Sequence, residues 1–109
     1  MTWGEIYRTR DRLPERGGKP GFYVVISRDF IASHDAVDTV VCAPIYSTAL
    51  GLRTEVVVGP ADGLPADSAI RCDFVALLFK RSLTAFVSTL SAPKQRELRR
   101  ALTHALQLD

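Results

Sequence analysis

Gly21-Phe22-Tyr23-Val24-Val25-Ile26-Ser27 is an almost unbroken run of apolar side chains. A strand with one wet face alternates polar and apolar residues, so a short run without alternation predicts a strand over 22–27 that is buried on both faces. Upstream, Glu5 to Arg10 alternates and reads as a second strand. The charged, glycine-bearing segment between them, ending in Gly17-Gly18-Lys19-Pro20, reads as a long basic loop. Downstream, Asp29 to Asp38 is a polar connection with room for one helical turn, and Thr39 to Ile45 is another buried strand. Thr54 to Val58 is a strand ended by Gly59-Pro60, and Gly63 to Asp67 is a loop. Ala69 to Phe79 is long enough for a strand bent near Asp73, and Phe86 to Leu90 would close the sheet. Ser91 offers an N-cap with Pro93 in the first turn, after which Leu98, Ala101, Leu102, Ala105 and Leu106 follow the spacing of one helical face. The pattern predicts a mainly β fold with a C-terminal helix, a strongly bent antiparallel sheet or small barrel with the helix packed on it.

At 109 residues the chain has the length of a single domain, and its 47% hydrophobic and 24% charged residues match an ordinary globular protein. Cys42 and Cys72 both sit in apolar runs, where a free cysteine behaves as a small buried hydrophobe. Residues 1–20 contain Glu5, Asp11 and Glu15 and no apolar core, so no signal peptide is read. The longest strictly apolar run, Phe74 to Phe79, is too short to span a bilayer. The expected location is the cytoplasm, with no membrane partner.

The net charge of +2 does not by itself argue for nucleic acid, but its distribution is uneven. Arg8, Arg10, Arg12, Arg16 and Lys19 crowd the first third, and Lys94, Arg96, Arg99 and Arg100 the last. Apart from Lys19, Lys80 and Lys94 every basic residue is arginine, the side chain suited to two-point contact with phosphate. His34 and His104 lie far apart with no ligand spacing around them, so no metal site is read. Gly17-Gly18-Lys19 lacks the spacing of a P-loop and leads into a strand, and Ser33, Ser68 and Ser82 lack the glycines of a nucleophile elbow.

An ordered series of motifs resembles the MazF/PemK family of bacterial toxins. Gly4-Glu5-Ile6-Tyr7 matches the family's G-[DE]-[IV]-[WY] opening strand, Lys19-Pro20 stands where the family has R-P, and Val24-Val25-Ile26-Ser27 matches its V-V-x-S. Pro44-Ile45-Tyr46-Ser47 aligns with P-[ILV]-T-[ST] except that Tyr46 replaces the threonine, Thr54-Glu55-Val56 matches T-x-V, and Gly63-Leu64-Pro65-Ala66-Asp67-Ser68 matches G-L-x-x-[DS]-S. Asp73 to Leu78 aligns with D-Q-[IL]-R-T-[VI], and Leu98 to Leu108 with the closing helix. The resemblance implies an SH3-like barrel of the MazF/PemK/CcdB type, a homodimer, sequence-selective cleavage of single-stranded RNA such as mRNA, and a cognate antitoxin. It implies no cofactor.

Such cleavage uses RNA's own 2′-hydroxyl as nucleophile, so the protein must accept one proton, supply another and stabilise phosphoryl charge, with no metal required. By the resemblance, Lys19 stands at the family's catalytic arginine and keeps its charge while losing the planar fork. Tyr46 stands at the threonine, either as a hydroxyl donor or as a stacking wall, and Ser47 and Thr48 bring further hydroxyls. Glu15, one position closer to the proline than the family's loop glutamate, is the candidate base, and Arg16 a candidate RNA contact. Phe74 and Ala76 replace a glutamine and an arginine of the RNA-facing side, so that surface either recognises RNA by stacking on Phe74 and Tyr46 or binds something else. Two other readings remain open. One is a catalytically degenerate barrel that acts by binding a protein, an antitoxin or a topoisomerase; the other is an RNA-binding module that does not cleave.

Overall fold

The computed structural model describes residues 1–10 and 21–109. The loop expected between the first two strands, with Glu15, Arg16 and Lys19, lies outside the described residues. In chain order the elements are β1 (Glu5–Thr9), β2 (Phe22–Val25), α1 (Asp29–Ala32), β3 (Thr39–Tyr46), β4 (Glu55–Val58), β5 (Ser68–Arg71), β6 (Ala76–Phe79), β7 (Leu83–Thr89) and α2 (Ala92–Leu106). All strand pairings are antiparallel, and the sheet runs β4-β5-β3-β2-β1-β7, with β6 also on β3.

The unalternating run of β2 has the predicted cause. Val24 points into one core with Ile6, Ala43, Ile45, Val56, Ile70 and Leu98. Tyr23 and Val25 point into a second, with Val40, Cys42, Leu78 and Leu83. Successive strand side chains face opposite sides, so a strand at the centre of a two-sided core must be apolar at every position. Pairing ends where Ser27 substitutes its hydroxyl for a backbone acceptor and receives the Val41 N–H at 2.8 Å. Both cysteines are free and buried, and burial pushes each thiol up to about 12. They are structural.

The segment expected as one bent strand is two strands. β5 pairs with the C-terminal end of β3 through Ile45–Ile70 and Tyr46–Ala69, a 3₁₀ turn over Cys72–Phe74 redirects the chain, and β6 pairs with the other end of β3 through Thr39–Phe79 to Cys42–Ala76. The bend lets one segment follow the whole of β3. The expected barrel is not a closed ladder among the described residues: β4 and β7 end the strand order and do not pair with each other. Pro60, which has no N–H to give, stands two residues beyond the end of β4 and begins a 3₁₀ turn over Pro60–Asp62. The gap is bridged by side chains instead: Ser88 donates to the Asp62 carbonyl, and Lys94 to that of Val57. Gly63 fits this bridge because its φ is +89° and a Cβ would lie 3.0 Å from Ser88.

Helix α2 starts as predicted, with the Ser91 hydroxyl accepting the Lys94 N–H, and stops at Gln107, whose φ is +55°. Its apolar face is narrower than the spacing suggests. Leu98 and Ala101 are buried, Leu102 and Ala105 are half-buried, and Leu106 is exposed, because the helix runs off the sheet toward its C-terminus. His104 is exposed beside Asp109. Among the described residues, no helix is long and apolar enough to cross a membrane.

Candidate active site

The C-terminal end of β3 carries the first candidate. Pro44 and Ile45 are buried, Tyr46 is half-buried as the strand emerges, and Ser47 and Thr48 are exposed on the loop that follows. Register decides what stands beside Tyr46. It lies opposite Ala69, and Arg71, two residues along β5, shares that face. Arg71 in turn lies opposite Glu55 of β4. Three strands therefore bring Tyr46, Arg71 and Glu55 to one outer patch.

The 3₁₀ turn completes the patch by folding Asp73 and Phe74 back over it. Arg71 donates from Nε to Asp73 Oδ1 at 2.9 Å and from a terminal nitrogen to Oδ2 at 2.7 Å, a two-pronged pair. Its guanidinium also sits 4.3 Å from the centre of the Phe74 ring, and Tyr46 meets Phe74 edge to face at 6.0 Å. Arg71 Nε is 3.9 Å from a Glu55 oxygen. The hydrogen bonds from Arg71 hold the Asp73 carboxyl below the usual carboxylate range, against the opposing effect of partial burial. The same bonds raise the Arg71 guanidinium. One guanidinium thus faces two carboxylates, and this group has no spare positive charge for a phosphate.

The other end of the predicted site reaches the same place by register. Phe22 pairs with Ile45, so Gly21, the first described residue after the basic loop, lies one step further along, at the level of Tyr46. Thr9 fixes that point: its N–H donates to the Gly21 carbonyl and its hydroxyl accepts the Gly21 N–H, both at 2.9 Å. Lys19, Glu15 and Arg16 lie outside the described residues, just before this fixed point in the chain.

Of the predicted residues, Tyr46 and Phe74 are brought into contact and Ser47 and Thr48 follow on the exposed loop. Ala76 does not join them. It pairs with Cys42, whose side chain belongs to the second core, and is half-buried there. Arg71, Asp73 and Glu55 are the members that sequence reasoning passed over; the available signal was the Arg71-Cys72-Asp73 spacing, which sets two opposite charges on one side of a buried cysteine. Among the described residues, no three of histidine, cysteine, aspartate and glutamate converge as metal ligands would.

A bent antiparallel sheet with a C-terminal helix, and a polar-aromatic patch where β3 and β5 end and β4 begins, define the class of protein. The chain belongs to the family described as the PemK-like, MazF-like toxin of type II toxin-antitoxin systems, which matches residues 4–106. It is 30% identical over 86 residues to endoribonuclease MazF3 of Mycobacterium tuberculosis, an alignment covering 79% of this chain and 82% of that protein. Among solved structures it resembles M. tuberculosis toxin MazF-mt6, with 27% identity and a TM-score of 0.80 over 94% of this chain and 98% of that one. An endoribonuclease in complex with its cognate antitoxin from a mycobacterial species shares the fold at 23% identity, with a TM-score of 0.84 over 100% of this chain and 97% of that one.

Proposed function

We propose that this protein is the toxin of a type II toxin-antitoxin pair and acts in the cytoplasm as an endoribonuclease on single-stranded RNA. The observation that carries the reading is the Arg71–Asp73 pair, locked at two points and packed on Phe74 beside Tyr46 at the open end of the sheet. In the reaction the 2′-oxygen bonds to phosphorus while the bond to the 5′-oxygen breaks. The 2′-hydroxyl gives up its proton and the 5′-oxygen receives one, leaving a cyclic phosphate and a 5′-hydroxyl. Asp73 is an ionised acceptor with a fixed orientation, Tyr46 offers a hydroxyl and an aromatic face, and Ser47 and Thr48 offer further hydroxyls. Because Arg71 is neutralised by Asp73 and Glu55, charge developing on the phosphoryl oxygens needs another cation. Lys19 supplies it in this reading, with Arg16 holding the strand and Glu15 as an alternative base. The position of Gly21 beside Tyr46 supports that assignment. Cleavage of purified single-stranded RNA with chelator present is the test, and intact RNA is the contrary result.

The functional unit in this reading is a homodimer. β6 pairs only with β3 among the described residues, and its exposed side carries Leu77 and Phe79 next to Phe74 and Val75. An apolar strand with a free edge is stable in water only when covered, and a second copy covers it symmetrically. Light scattering at tens of micromolar should give about twice the 12.0 kDa chain mass, and Leu77→Glu should shift it toward the monomer. A wild-type monomer would remove the dimer from the account.

A further inference from the structure

Glu55 is an unusual residue for the outer face of an edge strand. Its side chain is only 2% exposed. Among the described residues, its hydrogen-bond donors lie in the loop between β3 and β4. The carboxylate accepts the Leu52 N–H at 2.8 Å and the Leu50 N–H at 3.1 Å to each oxygen, and its second oxygen faces Arg71 across the strands. Apart from these bonds, the loop's second half is tied among the described residues by the Glu55 N–H to the Leu52 carbonyl and the Cys72 N–H to the Thr54 carbonyl. A buried carboxylate is tolerated only with such partners, and here every partner belongs to the patch: the loop that starts at Ser47 and Thr48, and the guanidinium beneath Phe74.

We infer that Glu55 is a positioning residue of the RNA site: its carboxylate fixes the loop carrying Ser47 and Thr48 against Arg71, and so sets their spacing to Tyr46 and Phe74. The inference rests on the reading of that patch as the RNA-cleaving site. Glu55 touches no substrate. It acts by geometry, and displacing reacting groups by an ångström is enough to lower a rate by about 100-fold.

Glu55→Gln and Glu55→Asp separate charge from reach. Glutamine keeps the length but sets an N–H₂ against backbone N–H donors; aspartate keeps the charge but draws it back by one methylene. RNA cleavage at saturating substrate should fall about 10-fold to 100-fold in both, at a temperature where melting curves show them folded. Hydrogen exchange at the Leu50 and Leu52 amides should speed up together with that loss, with exchange in β2 and β3 unchanged. If one variant does not fold, the other carries the comparison. Wild-type cleavage with either folded variant cutting at the wild-type rate overturns the inference, and so does slowed cleavage with unchanged exchange at Leu50 and Leu52. A wild-type protein that leaves RNA whole instead overturns the reading of the patch, and the inference falls with it.

Discussion

Leu98→Asp is expected to abolish the folded state. Leu98 is fully buried and packs where α2 meets the sheet, among Ile6, Val24, Ile45, Val56 and Ile70. Truncating such a leucine to alanine typically costs 2–5 kcal/mol, and a carboxylate with no partner costs more unless it takes up a proton. A domain of this size holds only about 5–15 kcal/mol in total, so the substitution removes most or all of its stability. The neighbouring positions calibrate the result. Leu102 is half-buried and should tolerate aspartate at a smaller loss, and Leu106 is exposed and should tolerate it within about 0.5 kcal/mol. Melting temperatures should therefore fall in the order Leu106→Asp, Leu102→Asp, Leu98→Asp, with the last giving no cooperative transition. A Leu98→Asp protein that melts with the wild type would show that α2 does not seal the core.

Lys19→Ala is expected to lower RNA cleavage by about 100-fold or more, the scale typical for loss of one donor to a developing oxyanion, without changing the melting curve. The size of the effect follows from the electrostatics of the patch, in which the Arg71 charge is already matched by Asp73 and Glu55. Among the described residues of that group no cation is left unmatched, so the phosphoryl charge would go unanswered. Lys19→Arg combined with Tyr46→Thr rebuilds the family's usual pair and should hold or raise the rate, because a guanidinium makes two hydrogen bonds where an ammonium makes a single-centre contact. Tyr46→Phe then separates the roles of the tyrosine. Loss of activity means the hydroxyl acts on the phosphate; retention means the ring serves as a stacking surface beside Phe74. A Lys19→Ala protein as active as the wild type would move the cation role elsewhere, with Arg53 and Arg10, both exposed, the next to replace.

The sheet was readable wherever burial is symmetric or alternates simply. β2 announced its two-sided core by lacking alternation, and α2 announced its start by Ser91 and Pro93. The bend at Asp73 was readable because no single strand of a small domain runs straight from Ala69 to Phe79. The helix face was over-read at Leu106, since periodicity records which side of a helix is apolar and not where the helix leaves the sheet. Whether the sheet closes was not readable, since Gly59-Pro60 marks the end of a strand without saying whether its edge meets another.

The site was readable only in part, for a different physical reason. Tyr46 and Phe74 were legible as aromatics in positions that usually hold polar residues, and they do meet. Arg71 and Glu55 were not, because each takes its role from a neighbour across the sheet. A glutamate at the start of a strand looks solvent-facing in a linear pattern; here the loop that begins at Ser47 bonds its carboxylate, and its burial is a tertiary fact. Ala76 is the complementary case. The turn over Cys72–Phe74 shifts the strand's phase, so Phe74 faces the patch while Ala76 faces the second core.

The central claim is that this fold cuts single-stranded RNA by the attack of RNA's own 2′-hydroxyl. Purified protein incubated with a long single-stranded RNA in EDTA, followed by mapping of both new ends, tests it most directly. The account predicts cuts at a recurring short sequence, each leaving a cyclic 2′,3′-phosphate upstream and a 5′-hydroxyl downstream. RNA that stays intact in EDTA and in magnesium, with the protein folded, would contradict it.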